Sequence, residues 1–211
     1  MLNGGGDEES EATTPRVVIV LSQVLERLVN RNDCLLESDS VVTGKGLSVF
    51  QGVRTPGISV SKYLERIYRY TNCSPSCFVV GFVYIDQLLH RHPDSLLFSL
   101  NVHRLLVTSI MVASKVLDDA HYNNAFYARV GGVTNSELNK LELELLRLLD
   151  FGVTVTTRVF DSYCLHLEKE LLCNGRSRRI ERLPFRPADG ETEHAGGDSL
   201  KGQSSPTQAV N

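Results

Sequence analysis

The sequence predicts an all-α fold, and three features of the 211-residue chain support this prediction. Apolar residues recur every three or four positions along most of the chain, which is the spacing of one face of an α-helix. Residues typical of helix starts and helix ends separate the periodic segments from one another. No stretch has the composition and alternation expected of a sheet. We therefore expect helices packed on helices as a bundle.

The first segments are an N-terminal tail, a helix and an arm. Residues 1–14 are rich in Gly, Thr and acidic residues, so we expect disorder there. Thr14 and Pro15 supply an N-cap and a first-turn proline for an amphipathic helix that ends near Asn30. The helical recurrence of apolar residues is lost after Asn30. The remainder of segment 15–57 still contains apolar residues that could be buried, so we predict an ordered arm there. These residues are Leu47, Val49, Phe50 and Val53.

Five further helices are predicted within segment 58–155. They span Ser59 to Tyr70, Ser74 to Arg91, Asn101 to Asp118, Asn124 to Val130, and Thr134 to Leu148. The second of the five is apolar nearly all round, which is typical of a helix buried inside a bundle. The last one opens with a capping box in which Thr134 is followed three residues later by Glu137.

A C-terminal helix and a tail complete the predicted chain. Val153 to Thr156 could form a short strand, but without a pairing partner a connector is the better interpretation. A helix then occupies segment 156–175, and segment 176–211 is predicted to be disordered because it is rich in Gly, Ser, Pro and charge. Five arginines near the start of this tail indicate either a solvated segment or an element that binds acidic partners.

Composition excludes several classes of function. The formal net charge is −3, which argues against a general nucleic-acid binder. No apolar stretch approaches the ~18–20 residues of a membrane span, so we expect no membrane partner. The acidic N-terminus does not resemble a secretory signal, and the five cysteines are scattered. We therefore predict an intracellular protein, in the nucleus, the cytoplasm or both.

The sequence offers no catalytic or metal site. Cys73 and Cys77 have one spacing compatible with zinc, but no second Cys/His pair completes a tetrahedral set. The segment 43–46 contains a Gly-Lys pair but lacks the upstream glycine and the following Ser or Thr of a phosphate loop. No serine lies in a nucleophile elbow. We expect no catalytic residue, no metal, no cofactor and no enzymatic activity.

Three charged residues stand in apolar surroundings. Asp86 lies within the most apolar helix, where an unpaired carboxylate is costly, so we expect a structural partner: a helix N-terminus or a basic side chain of the first of the five helices. Lys115 has local partners in Asp118 and Asp119 at i+3 and i+4. Glu142 fits the exposed face of an amphipathic helix. On pattern alone, all three have structural explanations.

Three ordered motifs in this region resemble the cyclin box. The run 82–89 is similar to the tyrosine-isoleucine-aspartate signature of the second cyclin-box helix. The run 111–115 resembles the alanine-serine-lysine motif of the third helix, and 141–151 resembles the fifth helix with its aromatic exit. Residues 63–67 and 130–133, together with the Asp and Asn pairs between them, resemble the P/U-type cyclins of plants. The likeness covers roughly residues 16–172.

This resemblance implies a single cyclin box, a five-helix bundle flanked by one N-terminal and one C-terminal helix. It implies a regulatory subunit that binds and activates a cyclin-dependent kinase, the A-type plant kinase in particular, in cell-division control or phosphate signalling. In the family, Lys115 and Glu142 match paired residues that hold the kinase main chain. Val116, Leu146 and Phe151 match apolar contacts to its mobile helix. The alternative is an adaptor of the same fold that activates no kinase.

Overall fold

The computed structural model describes residues 14–37 and 45–173, and within them the all-α prediction is confirmed. The described elements are α1 (Arg16–Glu37), a 3-10 helix (Lys45–Phe50), α2 (Val60–Thr71), α3 (Pro75–Arg91), α4 (Val102–Leu117), α5 (Asn124–Gly131), α6 (Asn135–Leu148) and α7 (Thr157–Cys173). The predicted disordered tail 176–211 with its arginines, and all of 1–14 except Thr14, lie outside the described residues, as do residues 43 and 44 of the segment 43–46.

Helix α1 is longer than its apolar periodicity predicts. It continues about two turns beyond Asn30, to Glu37. Polar contacts to the loop before α4 extend it: Asn32 Nδ2 donates to the carbonyl oxygen of Leu97 at 2.7 Å, and the Asp33 carboxylate accepts from the Ser99 N–H at 3.0 Å. The prediction of the helix end was wrong because these partners are remote in sequence.

The arm before α2 buries only part of its apolar surface. Leu47 and Phe50 of the 3-10 helix are buried in the core. Val49 and Val53 are exposed, although the sequence analysis expected all four residues to contribute. The 3-10 helix packs against α4 and α6, which is where its two buried side chains enter the bundle.

Helix α4 is the centre of the bundle. It packs against α2, α3, α5 and α6, and its residues are buried almost continuously from Val102 to Ser114. Helix α3 is also buried over most of its length and additionally contacts α1 and α7, which lie outside the five-helix group. The last residues of α4 leave this core, and Lys115 is the first partly exposed residue after the buried run that ends at Ser114.

The contact between α3 and α4 is closest at Gly81. A Cβ atom added there would lie 3.1 Å from Cγ1 of Ile110 and 3.2 Å from the backbone nitrogen of the same residue. The backbones of the two helices therefore approach too closely for a larger side chain. The absence of a side chain at Gly81 therefore determines how closely α3 packs against α4.

We expect Gly81→Val to lower the free energy of unfolding by about 1–3 kcal/mol, because overpacking a close helix contact forces the helices apart. Chemical denaturation monitored by circular dichroism measures this loss. Gly57→Val is the matched control, since a Cβ atom at Gly57 meets nothing within 4 Å. An equal loss in both variants would contradict the close packing assigned to Gly81.

Candidate functional site

Lys115 and Glu142 form an ion pair at the junction of α4 and α6. The Lys115 Nζ atom lies 2.6 Å from Oε1 of Glu142, and the two side chains are 29% and 19% exposed. The sequence analysis offered Asp118 as a local ion-pair partner of Lys115. The Asp118 carboxylate instead accepts a hydrogen bond from the Ser74 N–H at 3.1 Å. Glu142 is likewise not simply part of a solvated helix face. The packing of α6 on α4 brings together two charges that are 27 residues apart.

Asn124, the first residue of α5, holds the other oxygen of the Glu142 carboxylate. Its Nδ2 atom lies 2.6 Å from Oε2 of Glu142 and 2.8 Å from Oδ1 of Asn139. Both carboxylate oxygens are therefore engaged, which fixes the orientation of the group. The sequence analysis noted Asn124 only as the start of a predicted helix and as part of a family likeness. Its spacing from Glu142 carries no periodic signal, because the two residues belong to different helices.

Apolar side chains lie on the same face of α6 and at its end. Val116 follows Lys115 and is half-buried, as is Leu146, one turn after Glu142. Leu143 is 44% exposed and Phe151 is 62% exposed, so both present apolar surface to solvent. Leu143 was missed by the sequence analysis. Its only signal is a leucine at a position of α6 that the helical period directs away from the core.

The backbone after α6 turns sharply to present Phe151. Asp150 and Phe151 both adopt the left-handed conformation, with φ values of 53° and 56°. Such conformations cost roughly 1–3 kcal/mol each and persist only where surrounding contacts impose them. Here the Phe151 N–H donates to the carbonyl oxygen of Leu146 at 2.8 Å, and the Tyr84 hydroxyl donates to that of Val153 at 2.7 Å. The exposed aromatic ring is thus held by a fixed turn.

A sequence profile described as Cyclin matches residues 15–153, which is more than half of the chain. The chain belongs to the cyclin family. The matched region contains α1 to α6 and the Phe151 turn, so it includes the N-terminal helix that the sequence analysis placed outside the box.

Curated plant cyclins are similar to this cyclin over most of their length. Cyclin-U1-1 of Arabidopsis thaliana is 61% identical over 184 residues, which cover 82% of this chain and 87% of that protein. Cyclin-U4-1 of the same plant is 47% identical, covering 77% and 80% of the two chains. Cyclin-P3-1 of Oryza sativa subsp. japonica is 46% identical, covering 80% and 70%. The predicted likeness to the plant P/U-type cyclins is confirmed, and the family is one of regulatory proteins.

Asp86 of this cyclin is neither buried nor paired as predicted. Its side chain is 32% exposed and lies 3.4 Å from Nδ1 of His90, and its carboxylate accepts a hydrogen bond from the Tyr163 hydroxyl. The expected partners were a helix N-terminus or a basic residue of α2. The prediction was wrong because α7 packs on α3 and supplies Tyr163. Burial, with Asp86 nearby, raises the pKa of Tyr163, so the hydroxyl keeps the proton it donates.

The other chemically reactive groups of this cyclin are arranged as part of its core. Cys73 and Cys77 are free, buried thiols at the start of α3, and the hydrogen bond with Cys73, together with burial, raises the pKa of Cys77. In the described ranges, no group of three or more His, Cys, Asp and Glu side chains is placed to hold a metal ion. Within the same ranges, no helix has both the length and the apolar character needed to cross a membrane.

Proposed function

We propose that this cyclin binds and activates a cyclin-dependent protein kinase through one surface on α4, α6 and the turn after α6. We call it the Lys115–Glu142 surface; it consists of Lys115, Val116, Glu142, Leu143, Leu146 and Phe151. The observation that carries the proposal is the fixed Lys115–Glu142 pair beside exposed apolar side chains. Exposed apolar side chains bordered by polar groups mark protein-interaction sites, and aromatic residues such as phenylalanine are enriched in them.

The pair is organised before any partner arrives. Lys115 and Glu142 already contact each other, and Asn124 holds the second carboxylate oxygen. The two side chains are therefore already ordered in the free cyclin, so binding of a partner costs less conformational entropy. An ammonium group has three N–H donors, so Lys115 retains donors for main-chain carbonyl groups of the kinase. This chemistry suits recognition of a polypeptide backbone.

Activation follows from differential binding. A kinase requires the glutamate of its mobile αC helix to pair with the lysine of strand β3 before the ATP phosphates are held correctly. A rigid surface that fits only the inward position of αC shifts the kinase population toward the active state. In this mechanism the cyclin contributes apolar contact and main-chain hydrogen bonds but no catalytic group.

The proposal extends to the partner and the process named by the sequence analysis. The kinase is the A-type plant cyclin-dependent kinase, and the output is cell-division control or phosphate signalling in the nucleus, the cytoplasm or both. Residues 58–155 form the kinase-binding box, while 15–57 and 156–175 support it. Identity to plant U-type and P-type cyclins supports the choice of a plant kinase.

We expect the wild-type chain to co-purify with the A-type kinase and to raise its phosphorylation of histone. Phe151→Ala should weaken kinase affinity by about 2 kcal/mol, roughly thirtyfold, as truncation of a central aromatic contact does. Tyr70→Ala is the matched control, because Tyr70 is an equally exposed aromatic residue on α2, away from the Lys115–Glu142 surface. Titration of labelled kinase gives the affinities.

Three results would contradict the proposal or part of it. Failure of the wild-type chain to bind any cyclin-dependent kinase would favour an adaptor that binds transcription factors or other regulatory proteins. If the chain bound the kinase without raising histone phosphorylation, the proposed binding surface would stand, but the proposed activation would be wrong. Equal affinity losses for Phe151→Ala and Tyr70→Ala would show that the assigned surface is wrong.

A further inference from the structure

A second cleft, of about 680 Å³, lies between the strap 52–58, the beginning of α4 and the turn after α5. Three arginines from three separate segments line it: Arg54 from the strap, Arg66 from α2 and Arg104 from α4. None of them belongs to the Lys115–Glu142 surface. We call this feature the arginine cleft.

The arginine cleft carries an excess of positive charge. Arg104 pairs with Glu137 at 2.5 Å, but no acidic side chain is among the residues that line the cleft. The side chains of Arg54 and Arg66 are exposed, and in the part of the chain that the structure describes neither makes an ion pair or hydrogen bond. The local charge therefore contrasts with the net charge of −3 of the whole chain.

Two of the three arginines, Arg66 and Arg104, lie near Tyr63, which also lines the cleft. The Tyr63 hydroxyl donates to the carbonyl oxygen of Gly131 at 3.0 Å, which ties α2 to the turn after α5. Burial raises the pKa of Tyr63, and the positive charges of Arg66 and Arg104 oppose that rise. Both arginines thus act electrostatically on the same side chain of the cleft.

Two polar atoms of the residues lining the cleft lack partners within the described ranges. The His103 Nε2 atom lies 2.9 Å from the carbonyl oxygen of Ile58 and must donate to it, because a carbonyl only accepts. In the neutral ring, Nδ1 is then an acceptor, and it is buried and unpartnered. Arg104 Nε is a buried donor without a partner. The residues of the cleft wall thus keep one buried acceptor and one buried donor whose hydrogen bonds are unmet.

We propose that the arginine cleft binds a phosphorylated serine or threonine within an extended segment of a partner protein. Guanidinium groups form paired, charge-assisted hydrogen bonds with phosphate, and arginine clusters are a recurring means of phosphopeptide recognition. The cleft is larger than a phosphate group, and Val53, which is fully exposed, offers apolar contact to a neighbouring residue of the segment.

The test uses the full chain and a short, degenerate, fluorescently labelled peptide library with a central phosphoserine or phosphothreonine. We expect the phosphorylated library to bind and the unphosphorylated library not to bind. The Arg54→Ala/Arg66→Ala variant should bind about a hundredfold more weakly, since each hydrogen bond to a charged group contributes roughly tenfold or more in affinity. Arg31→Ala/Arg158→Ala removes two exposed arginines outside the cleft and should bind like the wild type.

Several outcomes would overturn this proposal. Equal binding of the two libraries, or equal losses in the two double variants, would indicate general electrostatic attraction. Inorganic phosphate or anionic phosphatidylserine vesicles binding at this cleft while the peptide library does not would assign it to a small anion or a membrane surface. The Arg54→Ala/Arg66→Ala variant should keep its kinase affinity, so failure here is distinguishable from failure of the kinase-binding proposal.

Discussion

Lys115→Ala is expected to weaken kinase binding by roughly thirty- to several-thousandfold. Removal of one member of a hydrogen-bonded charge pair at an interface typically costs about 2–5 kcal/mol, because the remaining charge is left buried and unpaired. Here the remaining charge would be Glu142, whose side chain is only 19% exposed even without a partner. Titration of labelled kinase against the variant measures the loss.

The fold should tolerate this substitution. A partly exposed ion pair contributes at most about 1 kcal/mol to stability, so the helical circular dichroism of Lys115→Ala should match that of the wild type. Lys140→Ala is the matched control, since it removes an exposed lysine of α6 that makes no ion pair among the described residues. Glu142→Gln should reproduce the binding loss. If both Lys115→Ala and Glu142→Gln bound the kinase with wild-type affinity, the ion pair would not be part of the kinase interface.

Asn101→Ala is expected to lower the free energy of unfolding by about 2–5 kcal/mol, since each buried polar group left unpaired costs roughly 1–3 kcal/mol. Asn101 is completely buried, and its Oδ1 atom accepts the Phe98 N–H at 2.9 Å while Nδ2 donates to the carbonyl oxygen of Leu96 at 2.8 Å. The substitution therefore leaves the Phe98 N–H and the Leu96 carbonyl oxygen, both in the loop before α4, without these partners. Urea denaturation monitored by circular dichroism measures the change.

Two further variants test whether the loss of stability comes from the buried hydrogen bonds of Asn101 and not from the replacement of any asparagine. Asn101→Asp keeps the acceptor for Phe98 but buries a carboxylate whose other oxygen faces the Leu96 carbonyl, so at neutral pH it should destabilise the fold at least as much as Asn101→Ala. Asn135→Ala changes an exposed asparagine in the first turn of α6 and should alter the free energy of unfolding by no more than about 0.5 kcal/mol. A loss below that limit in Asn101→Ala would contradict the role assigned to Asn101.

The sequence by itself determined the elements whose signals are local. The N-cap half of the predicted Thr134 capping box is present, with the Thr134 hydroxyl accepting the Glu137 N–H at 3.1 Å, while the Glu137 carboxylate pairs with Arg104. Helix α5 is followed by Gly132 in the left-handed conformation. Apolar periodicity placed the five central helices to within about a residue at each end, and the apolar α3 is buried as expected. Caps and periodicity depend on residues within one or two turns, so the chain carries them directly.

Only the tertiary structure decided which polar groups meet. Lys115 had nearby acidic residues, yet it pairs with Glu142 because α6 packs on α4. Asp86 was expected to pair with a helix N-terminus or a basic residue of α2, and its bond to Tyr163 exists because α7 packs on α3. The family resemblance matched Lys115 with Glu142, but neither pattern nor resemblance indicated that Asn124 holds the Glu142 carboxylate. Hydrogen bonds and ion pairs act over a few ångströms, so they depend on how helices pack, and no sequence period records that arrangement.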